Sequence, residues 1–200
     1  EVLLNKYQVD FIDFIDENFL VDKNRFFKFL EGIEERKLKF TWFVGSRANY
    51  FNPNYLTDDV IARVSALGCV MMGIGAESGS QRILDFLKKG IAVEQIEHSA
   101  RILNKHRIVS EFSFMIGLPH ETPDDMLKTI SFVKKLRKIG PYVGTQSPQL
   151  YRPIPGGELY EECVKLGFVA PKGIREWTSE KLQISGYLHL DKLPWIKRDN

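Results

Sequence analysis

Two hundred residues with 44% hydrophobic content are enough to build one α/β domain with a real core. The 28 basic and 26 acidic residues leave a net charge of only +2, which excludes a strongly basic nucleic-acid face. No apolar run reaches membrane-spanning length, and no signal-peptide pattern opens the chain.

Residues 1–8 read as the end of a helix, with Val2, Leu3 and Leu4 packing before Asn5. Residues 9–15 alternate apolar and acidic side chains, as a strand with one inward face does. Asp22 then offers an N-cap to a helix whose inner face carries Phe26, Leu30 and Ile33. Residues 40–44 are rich in β-favouring side chains. Thr57 caps the next helix, with Val60, Ile61, Val64 and Leu67 on one side, and Gly68 stops it.

Residues 69–74 form a continuous apolar run and predict a fully buried strand. A short helix over 81–87 and a longer one over 93–105 follow, parted by Gly90. Residues 109–116 predict the next strand. Thr122-Pro123 is a cap-then-proline helix start, with Met126, Ile130 and Val133 assigned to the inner face. Residues 146–151 predict a last strand, and 158–166 a last helix ending at Gly167. From residue 168 to 200 the pattern is irregular.

Strand–helix alternation builds a parallel sheet, because right-handed crossovers return every strand to the same end. The five turns after the strands therefore gather on one rim, where such folds place ligand and chemistry. Too short for a full eight-fold barrel, which takes ~250 residues, the chain predicts an incomplete barrel or open sheet.

The rim gathers Asp16-Glu17-Asn18, Arg47, Glu77-Ser78 and Gly117-Leu118. Glu77 directly follows a buried strand, where an ionised carboxylate must find donors. Its plain alternative is a cap for the helix near Ser80. Gly73, Gly75 and Gly79 let backbone approach a ligand closely. Their spacing misses the dinucleotide fingerprint, since Ser78 stands in the third glycine's place. Arg47 calls for a carboxylate partner. His120 reads as an exposed loop histidine, and no histidine spacing forms a metal triad. Cys69 and Cys163 stand far apart and outside any metal spacing, so both read as small buried hydrophobes. A cytoplasmic protein without structural disulfides is the matching expectation. No strained G-x-S-x-G elbow and no lysine at an inner strand end speak for serine or Schiff-base chemistry.

Five phrases in order resemble the radical S-adenosylmethionine (radical SAM) superfamily, most closely the group often carrying a cobalamin-binding domain. They are F-I-D-E-N-F (14–19), G-I-G-A-E-S-G-S-Q (73–81), L-K-K-G (87–90), F-M-I-G-L-P-H-E-T-P-D-D (114–125) and Y-R-P-I-P-G-G-E-L-Y (151–160). The resemblance implies a partial (β/α)6 TIM-like barrel over residues 1–167, with its first strand missing, and an irregular extension over 168–200. It implies S-adenosylmethionine and a 4Fe-4S cluster as cofactors, and cobalamin in some relatives. Reductive cleavage of S-adenosylmethionine to a 5′-deoxyadenosyl radical would then abstract hydrogen from an unknown substrate.

Carried over by position, Asp16, Glu17 and Asn18 would meet the methionyl amino group and Glu77 the ribose hydroxyls, with Ser78 counted among the cofactor-binding residues beside it. Lys89 would face the methionyl carboxylate, while Ile116, Gly117 and Leu118 would pack on adenine beside Ser113. Arg47 aligns with a further site position. The family's CxxxCxxC cluster motif is missing, and His120 stands where many relatives have glycine. The chain therefore reads as an inactive fragment of a radical enzyme. Its expected partner is the missing N-terminal part, and its open edge strand invites association. Two other readings stand beside it: a barrel glycoside hydrolase using Glu17 and Glu77, and a non-catalytic binding scaffold.

Overall fold

A computed structural model of the chain describes residues 1–177 and 193–196. Six strands, all paired in parallel, form the sheet: β1 (Phe11–Phe14), β2 (Thr41–Ser46), β3 (Cys69–Glu77), β4 (Val109–Ile116), β5 (Val143–Thr145) and β6 (Gln149–Leu150). The spatial order is β1-β2-β3-β4-β5, with β6 pairing β4 beyond β5. This is the sequential parallel order of an α/β barrel segment. The last strand departs from expectation. Its pairing begins at Val143, breaks over residues 146–148 and resumes at Gln149, where the chain joins a higher stretch of β4.

The helices are α1 (Val2–Tyr7), α2 (Lys23–Glu35), α3 (Asp58–Ala66), α4 (Gln81–Phe86), α5 (Val93–Lys105), α6 (Pro123–Arg137), α7 (Glu158–Lys165) and α8 (Ile174–Trp177). Asp22 accepts from the Arg25 amide and Thr57 from the Val60 amide, so both expected caps form. Thr122 and Asp125 complete a reciprocal capping box at the head of α6. Helix α1 buries no residue, and Val2 and Leu3 are exposed rather than packed.

Side-chain alternation divides the sheet into two faces. Trp42, Val44, Met72, Ile74, Ala76, Phe112 and Phe114 point into one core with Phe26 and Leu30 of α2, Ile61 and Val64 of α3, Ile96, Ala100 and Leu103 of α5, and Phe132 of α6. An aromatic nest of Phe14, Phe19, Phe29 and Trp42, largely edge-to-face, closes that core under α2. Residues of opposite parity, among them Phe43, Gly45, Gly73, Gly75, Glu111 and Ser113, fall on the other face and are only half-buried. That inner face ends at the rim.

The inner face of α6 differs from the apolar stripe assigned to it. Asp125, Thr129, Phe132, Val133 and Leu136 are buried, while Ile130 is exposed. The reason is that α6 packs with a polar patch against the turn after β3. A second apolar cluster joins Ile83, Leu118, Tyr151, Cys163, Phe168 and Leu193, so residues past 167 pack onto the barrel wall. The expected irregular extension falls partly outside the described residues, at 178–192 and 197–200.

Gly68 and Gly90 both have positive φ but differ in their surroundings. A Cβ at Gly68 would lie 2.1 Å from the Phe40 carbonyl oxygen, whereas one at Gly90 meets nothing within 4 Å. Gly90→Ala is expected to cost about 1 kcal/mol of backbone strain. Gly68→Ala must also displace the Phe40 backbone and is expected to cost clearly more. Urea unfolding midpoints of the two variants check the order.

Candidate functional site

The site is organised by the last residue of β3. Glu77 sits at φ 62°, in the left-handed region, directly after a register shift between Gly75 and Glu77 against β4. A non-glycine residue there costs roughly 1–2 kcal/mol, and such strain persists where its surroundings impose it. The bulge turns the carboxylate back over the strand. Glu77 Oε1 accepts from Lys89 Nζ at 2.5 Å, with both side chains largely buried. Gly75 permits this: a Cβ there would stand 2.6 Å from Glu77 Oε1 and 3.1 Å from Lys89 Nζ.

Two elements hold the pair. The loop after α4 is clamped by Arg47, whose guanidinium donates to the Lys89 carbonyl, and by Asn49, whose amide donates to the Gly90 carbonyl at 3.4 Å. Asn49 Oδ1 is buried and finds no hydrogen-bond partner among the described residues. Arg47 therefore pairs with no carboxylate among the described residues; a backbone oxygen takes that place.

The other support is a buried polar network behind the Ser78-Gly79-Ser80 turn. Thr129 Oγ1 donates to the Asp125 carbonyl and accepts from the Gly79 amide at 3.0 Å, so the Ser78 hydroxyl donates to Thr129. Ser80 Oγ donates to Asp125 Oδ1 at 2.6 Å, and the Thr122 hydroxyl and Arg82 guanidinium donate to Oδ2. Burial alone would raise the Asp125 carboxyl, but the bonds from Arg82, Ser80 and Thr122 outweigh it and hold it well below the usual range. Gly79 serves this contact rather than a ligand, since a Cβ would lie 2.8 Å from Thr129 Cα.

The expected site residues thus divide. Glu77, Lys89 and Arg47 come together, with Ser113 the cross-strand partner of Gly75. Asn18 joins them along the rim, its amide donating to the Tyr50 hydroxyl at 2.8 Å, where Tyr50 ends the single turn (Ala48–Tyr50) that begins just after Arg47. Asp16 and Glu17 are exposed. Ser78 is fully buried behind the turn and does not face the rim.

Gly117 and Leu118 also stand away from the open rim. Leu118 is buried in the second apolar cluster, and Leu150, Leu193 and Ile196 crowd Gly117. Their amides donate to Glu121 Oε2. Burial raises the Glu121 carboxyl, opposed by the amides of Leu118 and Gly117. Ile116 is half-buried at the end of β4. His120 is exposed, its ring 2.9 Å from Glu162. Tyr50, Asn49 and Asp125 were missed in the sequence reading; Asp125, in the capping-box position after Thr122, carried the only sequence signal.

A family model for the radical SAM superfamily matches residues 2–133. The chain belongs to the radical SAM superfamily. It is 29% identical over 178 residues to an uncharacterized methyltransferase of Pyrococcus horikoshii, covering 89% of this chain and 37% of that protein. It is 26% identical over 163 residues to the anaerobic magnesium-protoporphyrin IX monomethyl ester cyclase of Rubrivivax gelatinosus, covering 81% and 28%. Among solved structures, the radical S-adenosylmethionine methyltransferase TsrM of Kitasatospora setae, with cobalamin and a 4Fe-4S cluster bound, shares the fold at TM-score 0.56. The identity there is 16%, covering 67% of this chain and 27% of that one. The chain thus spans about a third of the length of these relatives.

Radical SAM membership implies S-adenosylmethionine and a 4Fe-4S cluster. The rim suits the first by its donor set: a carboxylate, an ammonium, an amide and a phenol answer a diol and an amino-acid zwitterion. The cluster does not fit these residues. Cys69 opens β3 at the end away from the rim, Cys163 lies in α7 against Tyr151, and the chain has no third cysteine. Burial raises both thiols. Among the described residues no group of acidic, histidine or cysteine side chains could hold a metal ion. No described helix is long and apolar enough to cross a membrane.

Two outcomes follow. Anaerobic reconstitution of the chain, followed by iron and sulfide assay, is expected to load no stoichiometric cluster; full loading would overturn the assignment of both thiols. The Asp125 carboxyl is held below its unfolded value of about 3.9, so its stabilisation is complete above that value and lost as pH falls below it. Asp125→Asn should lower stability by about 1.5–3 kcal/mol at pH 7. It should also flatten the fall in melting temperature expected of the unsubstituted chain between about pH 5 and pH 2.

Proposed function

We propose that this chain is the S-adenosylmethionine-binding wall of a radical SAM enzyme that cleaves S-adenosylmethionine reductively and abstracts hydrogen from its substrate. The observation that carries the reading is Glu77, forced into a left-handed turn at the barrel mouth and paired there, among the described residues, with the single ammonium of Lys89. Strain of that kind, held by a dedicated network, marks a position kept for its side chain.

Glu77 would accept both ribose hydroxyls, and Lys89, released from the pair, would face the methionyl carboxylate. Asn18, oriented by Tyr50, would meet the methionyl amino group together with the backbone of Asp16 and Glu17. Bound there, S-adenosylmethionine supplies a sulfonium that one electron can cleave. The protein's share is to bind, orient and exclude water. The cluster ligands would come from a segment outside these 200 residues, which is the partner proposed for the open edge of β1. The methyltransferase and cyclase relatives suggest methyl transfer or ring chemistry for the whole protein. The hydrolase reading of Glu17 and Glu77 is weaker, because Glu17 is exposed in the turn after β1 and Glu77 is already paired with Lys89.

Glu77→Ala in the full-length protein should weaken S-adenosylmethionine binding at least tenfold. Each charge-assisted bond is worth ~1.5–3 kcal/mol and 1.4 kcal/mol is a factor of ten. Titration calorimetry decides it, and unchanged affinity in a folded variant would reduce Glu77 to a turn residue. A second comparison tests the strain itself. Glu77→Gly should be more stable than Glu77→Ala by about 1 kcal/mol, the reverse of the order expected at an ordinary strand position.

A further inference from the structure

The head of β4 is covered by residues 193–196 of the same chain. They form a tight turn, closed by the Ile196 amide donating to the Leu193 carbonyl at 3.0 Å, with Pro194 where proline pre-sets such a turn. Leu193 is buried among Ile83, Leu118 and Tyr151, and Pro194 lies beside Gly167. Trp195 is only half-buried. Its indole reaches back onto the barrel, where Nε1–H donates to the Gly117 carbonyl at 3.0 Å.

That carbonyl is not part of the sheet. The β4 ladder ends one residue earlier, where the Ile116 carbonyl accepts from the Tyr151 amide at 2.8 Å. Gly117 then turns at φ 79°, and Glu121 Oε2 fixes its amide and that of Leu118 from the other side. The acceptor is therefore set in place by the loop between β4 and α6, and the indole only uses it. It also stands on the same rim as Glu77. Glu77 pairs Phe114 of β4, so Gly117 lies three residues farther on, at most roughly 10 Å along the neighbouring strand. A nucleoside spans that reach from its sugar hydroxyls to the edge of its base.

An indole is a flat bicyclic aromatic with one N–H donor at its edge, and a purine bearing an amino group presents the same two features. Trp195 thus shows what the head of β4 accepts: a bicyclic ring packed against the Leu118 cluster, with its donor on the Gly117 carbonyl. We propose that residues 193–196 are an autoinhibitory turn, in which Trp195 holds the base subsite and a purine nucleoside enters only by displacing the indole from Gly117. This rests on the reading of Glu77 as the ribose acceptor, and it adds how access to that site is controlled. The turn is light enough to leave. Among the described residues it is anchored by one buried leucine and makes one hydrogen bond to the barrel. While it is seated, the apparent affinity for the nucleoside is lowered by the fraction of chains in which the subsite stands open.

The test titrates the 200-residue chain with adenosine and, separately, with L-methionine, following backbone amides and the Trp195 indole N–H by NMR. The indole resonance is assigned by its loss in Trp195→Phe. Adenosine is expected to shift Gly117 and Leu118 saturably and to strip the indole N–H of its protection from solvent exchange. Methionine should leave the indole protected. Trp195→Ala should bind adenosine about tenfold or more tightly than the unsubstituted chain. Trp195→Phe, which loses the N–H and keeps a ring, should gain by a smaller factor. An indole that stays protected under saturating adenosine, or equal or weaker binding by Trp195→Ala, makes Trp195 a wall of the pocket. Either result overturns the proposal and leaves the cofactor reading intact. Should Trp195→Ala fail to fold, indole exchange in the unsubstituted chain and the affinity of Trp195→Phe still decide. Release of the indole with Gly75 and Glu77 unmoved supports the turn's role and overturns Glu77 as the ribose acceptor. No response to adenosine in any of these chains overturns both.

Discussion

Everything at the barrel mouth depends on how β3 ends. After an early register shift against β2, the strand pairs evenly from Met71 to Gly75, slips register against β4, and finishes on a glutamate in left-handed backbone. Helix α6 holds that ending from behind: Thr129 and Asp125 satisfy the buried hydroxyls and amides of residues 78–80, and the helix sits directly on Gly79. Each buried polar group finds its partner within the network, so the turn has one arrangement rather than several. The front is lighter, with one lysine on one carboxylate oxygen, and that contact is the one a ligand would exchange. A rigid back and an exchangeable front let a carboxylate be presented without being consumed by the fold.

The architecture was readable because hydrophobic runs, caps and stops repeat at strand–helix spacing, and parallel order follows from crossover handedness. Caps at Asp22, Thr57 and Thr122 formed where the residue types asked for them. The last strand was misplaced because β5 pairs through Val143-Gly144-Thr145, a segment short and glycine-containing, while the more strand-like 146–151 pairs only at its end. Ile130 was assigned inward on periodicity alone. The helix instead turns Thr129 and Asp125 inward, since unsatisfied polar groups at the β3 turn outweigh one exposed isoleucine.

The site was legible in its members and less so in their relations. Glu77 and Lys89 are read from sequence as two separate contacts, yet without ligand they neutralise each other, which linear spacing cannot reveal. Arg47 was matched to a carboxylate by charge, whereas a carbonyl in the loop before α5 lay within reach. Gly117 and Leu118 were placed on the rim, but the segment at 193–196 covers them, with Trp195 donating to the Gly117 carbonyl at 3.0 Å.

The proposed site depends on Glu77 exchanging Lys89 for a ligand. A crystal structure of the chain with S-adenosylmethionine tests this most directly. Both ribose hydroxyls should lie within hydrogen-bond distance of the Glu77 carboxylate, with the Lys89 ammonium moved off it and the residue 78–80 turn unchanged. A ligand bound elsewhere, or an intact Glu77–Lys89 pair beneath a bound ligand, would contradict it.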